Sequence, residues 1–225
     1  MRAGLIGALL ITVAVIAGVF IGNHIIAAAP TDGGARLAAA RSVERAARSD
    51  GARDYLAPAE LDAATRSKIL PAGTKSLLKT DGKMRHGDYT WRDKGVPPGK
   101  VTIWVDLRTQ LISVFRGGHE IGASVIVYGA EDMQSPVGRF PILSKQRDYH
   151  SRAYDAPMPY SLFITDTGVA LHGSPMSSRR ATHGCIGLPE EFARLVFDAA
   201  ETGDEVQIVR SQGRASTVTS KRAVS

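Results

Sequence analysis

Hydrophobic and polar positions change rhythm three times along the chain, and each change marks a segment. Residues 3–22 are apolar without interruption, twenty residues that would span about 30 Å as a helix, the thickness of a hydrocarbon core. Arg2 and the N-terminal amine flank this run with positive charge. A retained membrane anchor is the expectation. A cleaved signal peptide is the competing one, because Ala27-Ala28-Ala29 offers an A-x-A site. Either places the rest of the chain outside the cytoplasm. Residues 30–99 then lose the apolar run. Ala and Arg dominate up to Arg53, as in a linker. Leu56, Ala59, Ala63, Ile69 and Leu70 fit one short helix ended by Pro71, and residues 73–99 are punctuated by glycines and prolines into an irregular lead-in.

From Val101 the period becomes two. Val101, Ile103, Val105 and Leu107 share a face, Arg108-Thr109-Gln110 is a turn, and residues 111–116 return as the second arm of a hairpin. Gly117-Gly118 turns the chain again into a strand over 120–128, with Ile121, Ala123, Val125 and Val127 on one side. Further strands are expected at 139–144, 161–165, 169–171 and 205–209. One helix follows residue 188: Pro189 suits its first position, Glu190 and Glu191 suit its positive end, and Phe192, Leu195, Val196 and Ala199 form its stripe. The periodicity says mainly β, a β-rich α+β domain over 100–210 with one packed helix. Residues 211–225 carry Arg214, Lys221 and Arg222 without an acid and read as a tail.

Composition changes this picture little. The 225 residues are 44% hydrophobic and carry a formal charge of +6. The basic residues are scattered with no Lys/Arg run, so a surface near anionic envelope polymers or lipid headgroups accounts for them, and no nucleic-acid partner is expected. One cysteine excludes an intrachain disulfide and, in an exported protein, flags a reactive thiol.

The chemistry concentrates at residues 171–188, LHGSPMSSRRATHGCIGL. Cys185 is a nucleophile once deprotonated, and an adjacent imidazole can take its proton. Gly184 permits a tight turn that aims N–H groups at a developing oxyanion. Gly173 lets the backbone around His172 pack closely. His172, His183 and Cys185 could instead be three zinc ligands of a structural module, although the glycine-rich flanks serve catalysis better. His86, His119 and His150 read as structural or surface residues.

His172-Gly173, a loop, then Thr182-His183-Gly184-Cys185-Ile186 resembles the signature of the L,D-transpeptidase (YkuD-like, ErfK/YbiS-type) family. Ser135-Pro136-Val137-Gly138-Arg139-Phe140 is similar to that family's Thr-Pro-x-Gly-x-Phe turn and strand, and Met158-Pro159-Tyr160 and Val169-Ala170-Leu171-His172 extend the likeness. Gly187 stands where the family usually has Arg or Asn, and the loop before Thr182 is shorter than in common members. The resemblance implies a YkuD-like β-sandwich, Cys185 as nucleophile, and His172 as base oriented by the Gly173 carbonyl. It also implies an oxyanion hole at Gly184 and Cys185, with His183 shaping the pocket and Thr182 steadying the turn. Tyr160 and Met158 would line the acyl-donor cleft, and Arg179 or Arg180 would meet a substrate carboxylate in place of the missing Arg; the alternative is that Met158 and Tyr160 serve the core and the two arginines are solvated. No cofactor and no metal are implied. The substrates implied are peptidoglycan stem peptides, as donor and acceptor, with loss of D-alanine and formation of 3→3 links between diaminopimelate residues; an envelope lipoprotein is the acceptor in some members, and carbapenems acylate the cysteine. With water as acceptor the same pair gives an L,D-carboxypeptidase or endopeptidase. A catalytically silent peptidoglycan-binding protein is the remaining alternative; papain-like peptidases place Cys before His, the reverse of the order here.

Overall fold

The computed structural model describes residues 51–80, 82–129, 133–176 and 182–211. The apolar run at 3–29, the connector up to residue 50, Arg179, Arg180 and the tail from residue 212 lie outside the described residues. Among the described residues no helix is long and apolar enough to cross a membrane.

Two sheets and one helix share a single core. β4 (Val101–Asp106) and β5 (Leu111–Arg116) form the expected hairpin, in register from Val101 opposite Arg116 to Asp106 opposite Leu111. Gln110 takes a φ of 54° in its turn. β6 (His119–Val125) continues the meander, and β13 (Glu205–Val209) joins β4 in parallel. β8 (Gly138–Pro141) and β3 (Tyr89–Trp91) close the two edges of this six-stranded sheet, ordered β3-β6-β5-β4-β13-β8. The second sheet has five strands, ordered β7-β12-β11-β10-β9: β7 (Val127–Tyr128), β9 (Ser144–Ser151), β10 (Ala156–Phe163), β11 (Ala170–Gly173) and β12 (Ile186–Leu188). Ile103, Val105, Ile112, Val114, Leu171, Ile186 and Phe192 meet in the core between them, all fully buried.

The strand expected over 120–128 is two strands in different sheets. The chain leaves β6 at Ile126, whose N–H bonds the Gln110 carbonyl, and Val127 then pairs with Gly187 of β12. Residues 120–127 are all buried, so no alternation of exposure marks this hand-over. The strand expected over 139–144 is likewise split between β8 and β9. β10 begins five residues before the expected 161, since Pro157 and Pro159 mask it. Both prolines pair with β9, whereas β11 pairs β10 only at Leu162 and Phe163, so the prolines face no strand on their other side.

The lead-in is part of the fold and not irregular. β1 (Arg53–Asp54) pairs with β2 (Leu77–Leu78), and β3 is a strand of the main sheet. The buried Arg53 guanidinium donates to the carbonyls of Glu120 (2.6 Å) and Arg92 (2.7 Å), tying the lead-in to β6. α1 (Pro58–Arg66) ends at Arg66, four residues before the expected stop, and buries Ala64 while Ala59 and Ala63 face solvent. Leu56, Ala64, Leu70 and Leu77 pack on Trp104 and Phe115, the outer face of the hairpin. The six-stranded sheet is therefore covered on both sides.

α2 (Glu190–Ala199) follows β12 with Pro189 as its N-cap, one position earlier than expected. Its buried residues are Phe192, Ala193, Val196 and Phe197; Leu195 and Ala199 are only half-buried, so the stripe is rotated toward 193 and 197. The Phe192 ring meets Trp91 edge-on at 5.8 Å, and Gly122 makes the room: a Cβ there would lie 2.3 Å from the Trp91 ring.

Candidate active site

His172 sits in β11, between β10 and β12. Leu171 pairs with Leu162 on one side, and His172 pairs with Gly187 of β12 on the other. The ring is 8% exposed, and its Nδ1 lies 2.8 Å from the Gly173 carbonyl. A carbonyl can only accept, so in the neutral ring Nδ1 carries the hydrogen and Nε2 is left with its lone pair. Burial pulls the imidazole pKa below its usual value, against the opposing pull of the Gly173 bond. The site therefore holds a neutral base at neutral pH. Gly173 also admits close approach from both sides: a Cβ there would meet Pro159 Cγ at 2.9 Å and Glu190 Cα at 3.4 Å.

Cys185 is half-buried in a turn that a short strand, β12, separates from α2. Burial raises its thiol pKa, and the Ala170 backbone N–H works the other way. Its Sγ lies 3.8 Å from the Gly168 carbonyl. A thiol pushed up and an imidazole pushed down are both in their uncharged forms at neutral pH.

Both side chains line one cavity of about 460 Å³. The β9–β10 hairpin forms a wall of it through Tyr149, Met158 and Phe163, and the hairpin tip brings Tyr154 to the mouth. Tyr154 stacks on His183, ring centroids 4.1 Å apart and planes within 8°, and its hydroxyl reaches Met133 Sδ at 3.5 Å. His183 thus forms part of the mouth of the cavity. Thr182 donates its hydroxyl to the Cys185 carbonyl, and its N–H donates to the Tyr128 carbonyl at 3.2 Å. Gly184 has φ 98°, a left-handed conformation that a side chain would strain. Among the described residues, no backbone carbonyl accepts from the N–H groups of Gly184 or Cys185.

Met158 lines the cavity as the sequence leads one to expect, but Tyr160 does not. In a regular strand residues two apart share a face, yet Tyr160 takes φ 57° and breaks the pleat. Its ring packs edge-on against Phe197 of α2 at 5.9 Å, under the Arg147 guanidinium, and serves the core. Gly187, where the family has Arg or Asn, has a steric cause. A Cβ at 187 would lie 2.5 Å from Val127 Cγ2 and 2.9 Å from Ser174 Cβ, so β12 can pass here only without a side chain. Among the described residues no group of three or more His, Cys, Asp or Glu side chains could hold a metal ion; His172, His183 and Cys185 do not converge as ligands. His119 lies at the start of β6, its Nδ1 2.9 Å from Ser76 Oγ, and His150 pairs with Asp155 at 2.9 Å across the hairpin turn. Neither lines the cavity. Two residues of the site, Ser135 and Tyr154, carry no chemistry-bearing spacing in the sequence. Ser135 was legible only as the first residue of a turn motif, and Tyr154 sits in a polar stretch without periodicity.

Residues 100–208 match the family model described as the L,D-transpeptidase catalytic domain, YkuD. This segment is a YkuD domain. L,D-transpeptidase 1 of Mycobacterium tuberculosis is 27% identical over 134 residues, which cover 52% of this chain and 53% of that protein. The chain thus spans about half the length of the curated relatives it matches. Among solved structures, the L,D-transpeptidase of Stackebrandtia nassauensis aligns with TM-score 0.47 at 22% identity, over 52% of this chain and 58% of that one. The LD transpeptidase LdtMt1 in complex with imipenem aligns with TM-score 0.46 at 25% identity, over 49% of this chain and 59% of that one.

Proposed function

We propose that this chain is a cysteine-dependent L,D-transpeptidase that transfers acyl groups of peptidoglycan stem peptides through a thioester on Cys185. The observation that carries the reading is the single cavity lined by Cys185 and by a His172 whose Nδ1 is committed to the Gly173 carbonyl. His172 Nε2 takes the thiol proton as Sγ attacks the amide carbon ahead of a terminal D-alanine. The N–H groups of Gly184 and Cys185 receive the oxyanion; one such donor is typically worth about 2.7–4 kcal/mol. The C–N bond breaks, and the D-alanine amine leaves with the proton from His172. A second amine, from a diaminopimelate side chain, then attacks the thioester carbonyl, gives its proton to His172, and expels the thiolate to form a 3→3 link. Thr182 holds the turn, His183 and Tyr154 shape the entrance, and Met158 packs against the donor. Arg179 or Arg180, in the loop before Thr182, meets a donor carboxylate. The apolar run at 3–29 supports a place outside the cytoplasm, held at the membrane or released from it, where the polymer is. A protein amine is a further acceptor of the same chemistry.

The test uses disaccharide-tetrapeptides containing diaminopimelate, followed by mass spectrometry, with Cys185→Ala alongside. A dimer lacking one D-alanine, absent with the variant, is the expected product. A monomeric tripeptide alone would make water the acceptor and the enzyme a carboxypeptidase. Failure of either product to depend on Cys185 would overturn the mechanism.

A further inference from the structure

The Cys185 carbonyl is held from two directions, and one of the holders lies fifty residues away. Thr182 Oγ1 donates to it from within the turn. Ser135 Oγ donates to it at 3.4 Å from the loop between β7 and β8, while accepting the Gly129 N–H at 3.0 Å. Ser135 is 3% exposed, so its hydroxyl has no competing water. Gly129, the residue after β7, lies directly behind the nucleophile turn. A Cβ on it would come within 2.7 Å of both the N and the Cα of Gly184, and within 2.0 Å of the Met133 carbonyl. Gly129 also bridges to Thr182. The turn that carries Gly184 and Cys185 thus rests against Gly129 and is pinned by one buried hydroxyl that bonds both layers.

We propose that Ser135 is a positioning residue for the acyl-transfer step: it fixes the Cys185 peptide so that the Gly184 and Cys185 N–H groups stay aimed at the oxyanion. This rests on the acyl-transfer reading of the site. The physical reason is rotational. Gly184, at φ 98°, has the freest backbone in the turn, and a glycine-containing turn keeps one geometry only if its carbonyls are anchored. Thr182 anchors the Cys185 carbonyl from within the turn, three residues away. Ser135 anchors the same carbonyl to β7, which is paired into the five-stranded sheet through β12. The second bond adds to the Thr182 N–H···Tyr128 carbonyl contact a tie that acts on the Cys185 carbonyl itself and comes from outside the turn.

The hydroxyl should matter to acylation and not to the nucleophilicity of sulfur, and two reagents separate these. A carbapenem such as imipenem reacts by formation of a bond from Sγ to the lactam carbonyl carbon, cleavage of the lactam C–N bond, and transfer of the thiol proton through His172 to the nitrogen; its intermediate carries an oxyanion. Iodoacetamide reacts by formation of an S–C bond with departure of iodide and loss of the thiol proton to solvent, and no oxyanion forms. In the full chain, Ser135→Ala should slow imipenem acylation by about 10- to 100-fold, as expected for misplaced catalytic groups. Its iodoacetamide rate at the same pH should stay within about twofold of wild type, since the thiol and imidazole surroundings are unchanged. Ser135→Thr, which keeps the hydroxyl, should recover most of the acylation rate. Gly129→Ala, which presses on Gly184 and leaves the hydroxyl, should copy Ser135→Ala. Unchanged acylation in Ser135→Ala would overturn the inference. So would a parallel fall in both reagents, which would place the effect on the thiol or on folding. A wild-type chain that iodoacetamide labels at Cys185 but imipenem does not would count against the acyl-transfer reading instead.

Discussion

At the scale of single residues, the site depends on side chains that are missing as much as on those present. Gly187 leaves a gap that Val127 and Ser174 fill, so the position cannot regain the side chain usual in the family without displacing β7 or the segment after His172. Gly187→Arg is therefore expected to destabilise by about 1–3 kcal/mol, the usual range for overpacking. Thermal unfolding measures this directly, as a midpoint lowered by about 2–4 °C per kcal/mol for a chain of this size. The protonation states make a second expectation. Burial raises the Cys185 thiol and lowers the His172 imidazole, so the thiolate forms only as pH rises through a pKa above the ordinary thiol value. Iodoacetamide labelling of Cys185 followed against pH should climb through the alkaline range without an acidic plateau. A plateau below about pH 6 would reveal a preformed thiolate–imidazolium pair, as in strongly activated cysteine sites.

At the scale of elements, the β9–β10 hairpin walls the cavity, while α2 lies outside it and packs in the core. α2 is held by Phe192, whose ring lies between Trp91, Tyr89 and the backbone of Gly122. This contact ties the helix after Cys185 to the edge strand of the other sheet. Phe192→Ala should cost about 3–5 kcal/mol, read from denaturant unfolding. The hairpin is a different case. Its outer strand, SKQRDYHS, is largely exposed, and it is placed by pairing with β10 and by aromatic contacts, Tyr149 on Phe163 at 5.0 Å and Tyr154 on His183. A polar edge strand has no apolar alternation to read, and two prolines obscure its partner. For that reason residues 144–160 were the least legible part of the domain, and nothing local chose between cleft and core for Tyr160, which is half-buried against the core. The β4–β5 hairpin was legible to within one residue: β4 ends at Asp106 and the turn takes residues 107–110, one more than expected.

At the scale of the molecule, the family match begins at residue 100, but the folded unit does not. Residues 51–99 supply β3, the buried Arg53 contacts to β6, and the apolar cover on Trp104 and Phe115. Burying Leu56, Leu70 and Leu77 is worth about 1.5–3 kcal/mol each. Together that is comparable to the whole stability of a typical domain, about 5–15 kcal/mol. A piece covering 51–211 should unfold in one cooperative transition. A piece covering 100–211 should show none, because β6 would lose its edge partner and the hairpin its outer cover; calorimetry on the two decides. An equally cooperative transition in the shorter piece would make the lead-in an accessory.

The sequence by itself singled out Cys185, His172 and Gly184 as the candidate site, because a thiol, an imidazole and a left-handed backbone are each supplied by one residue type at one place. It also determined the paired hairpin strands, because alternation of buried and exposed side chains is a local property of a strand. The tertiary structure alone decided which sheet each strand joined, where the Tyr160 ring went, why residue 187 has no side chain, and that Ser135 bonds the Cys185 carbonyl. These depend on distances between segments far apart in the chain, and no local period records which neighbour a buried surface will meet.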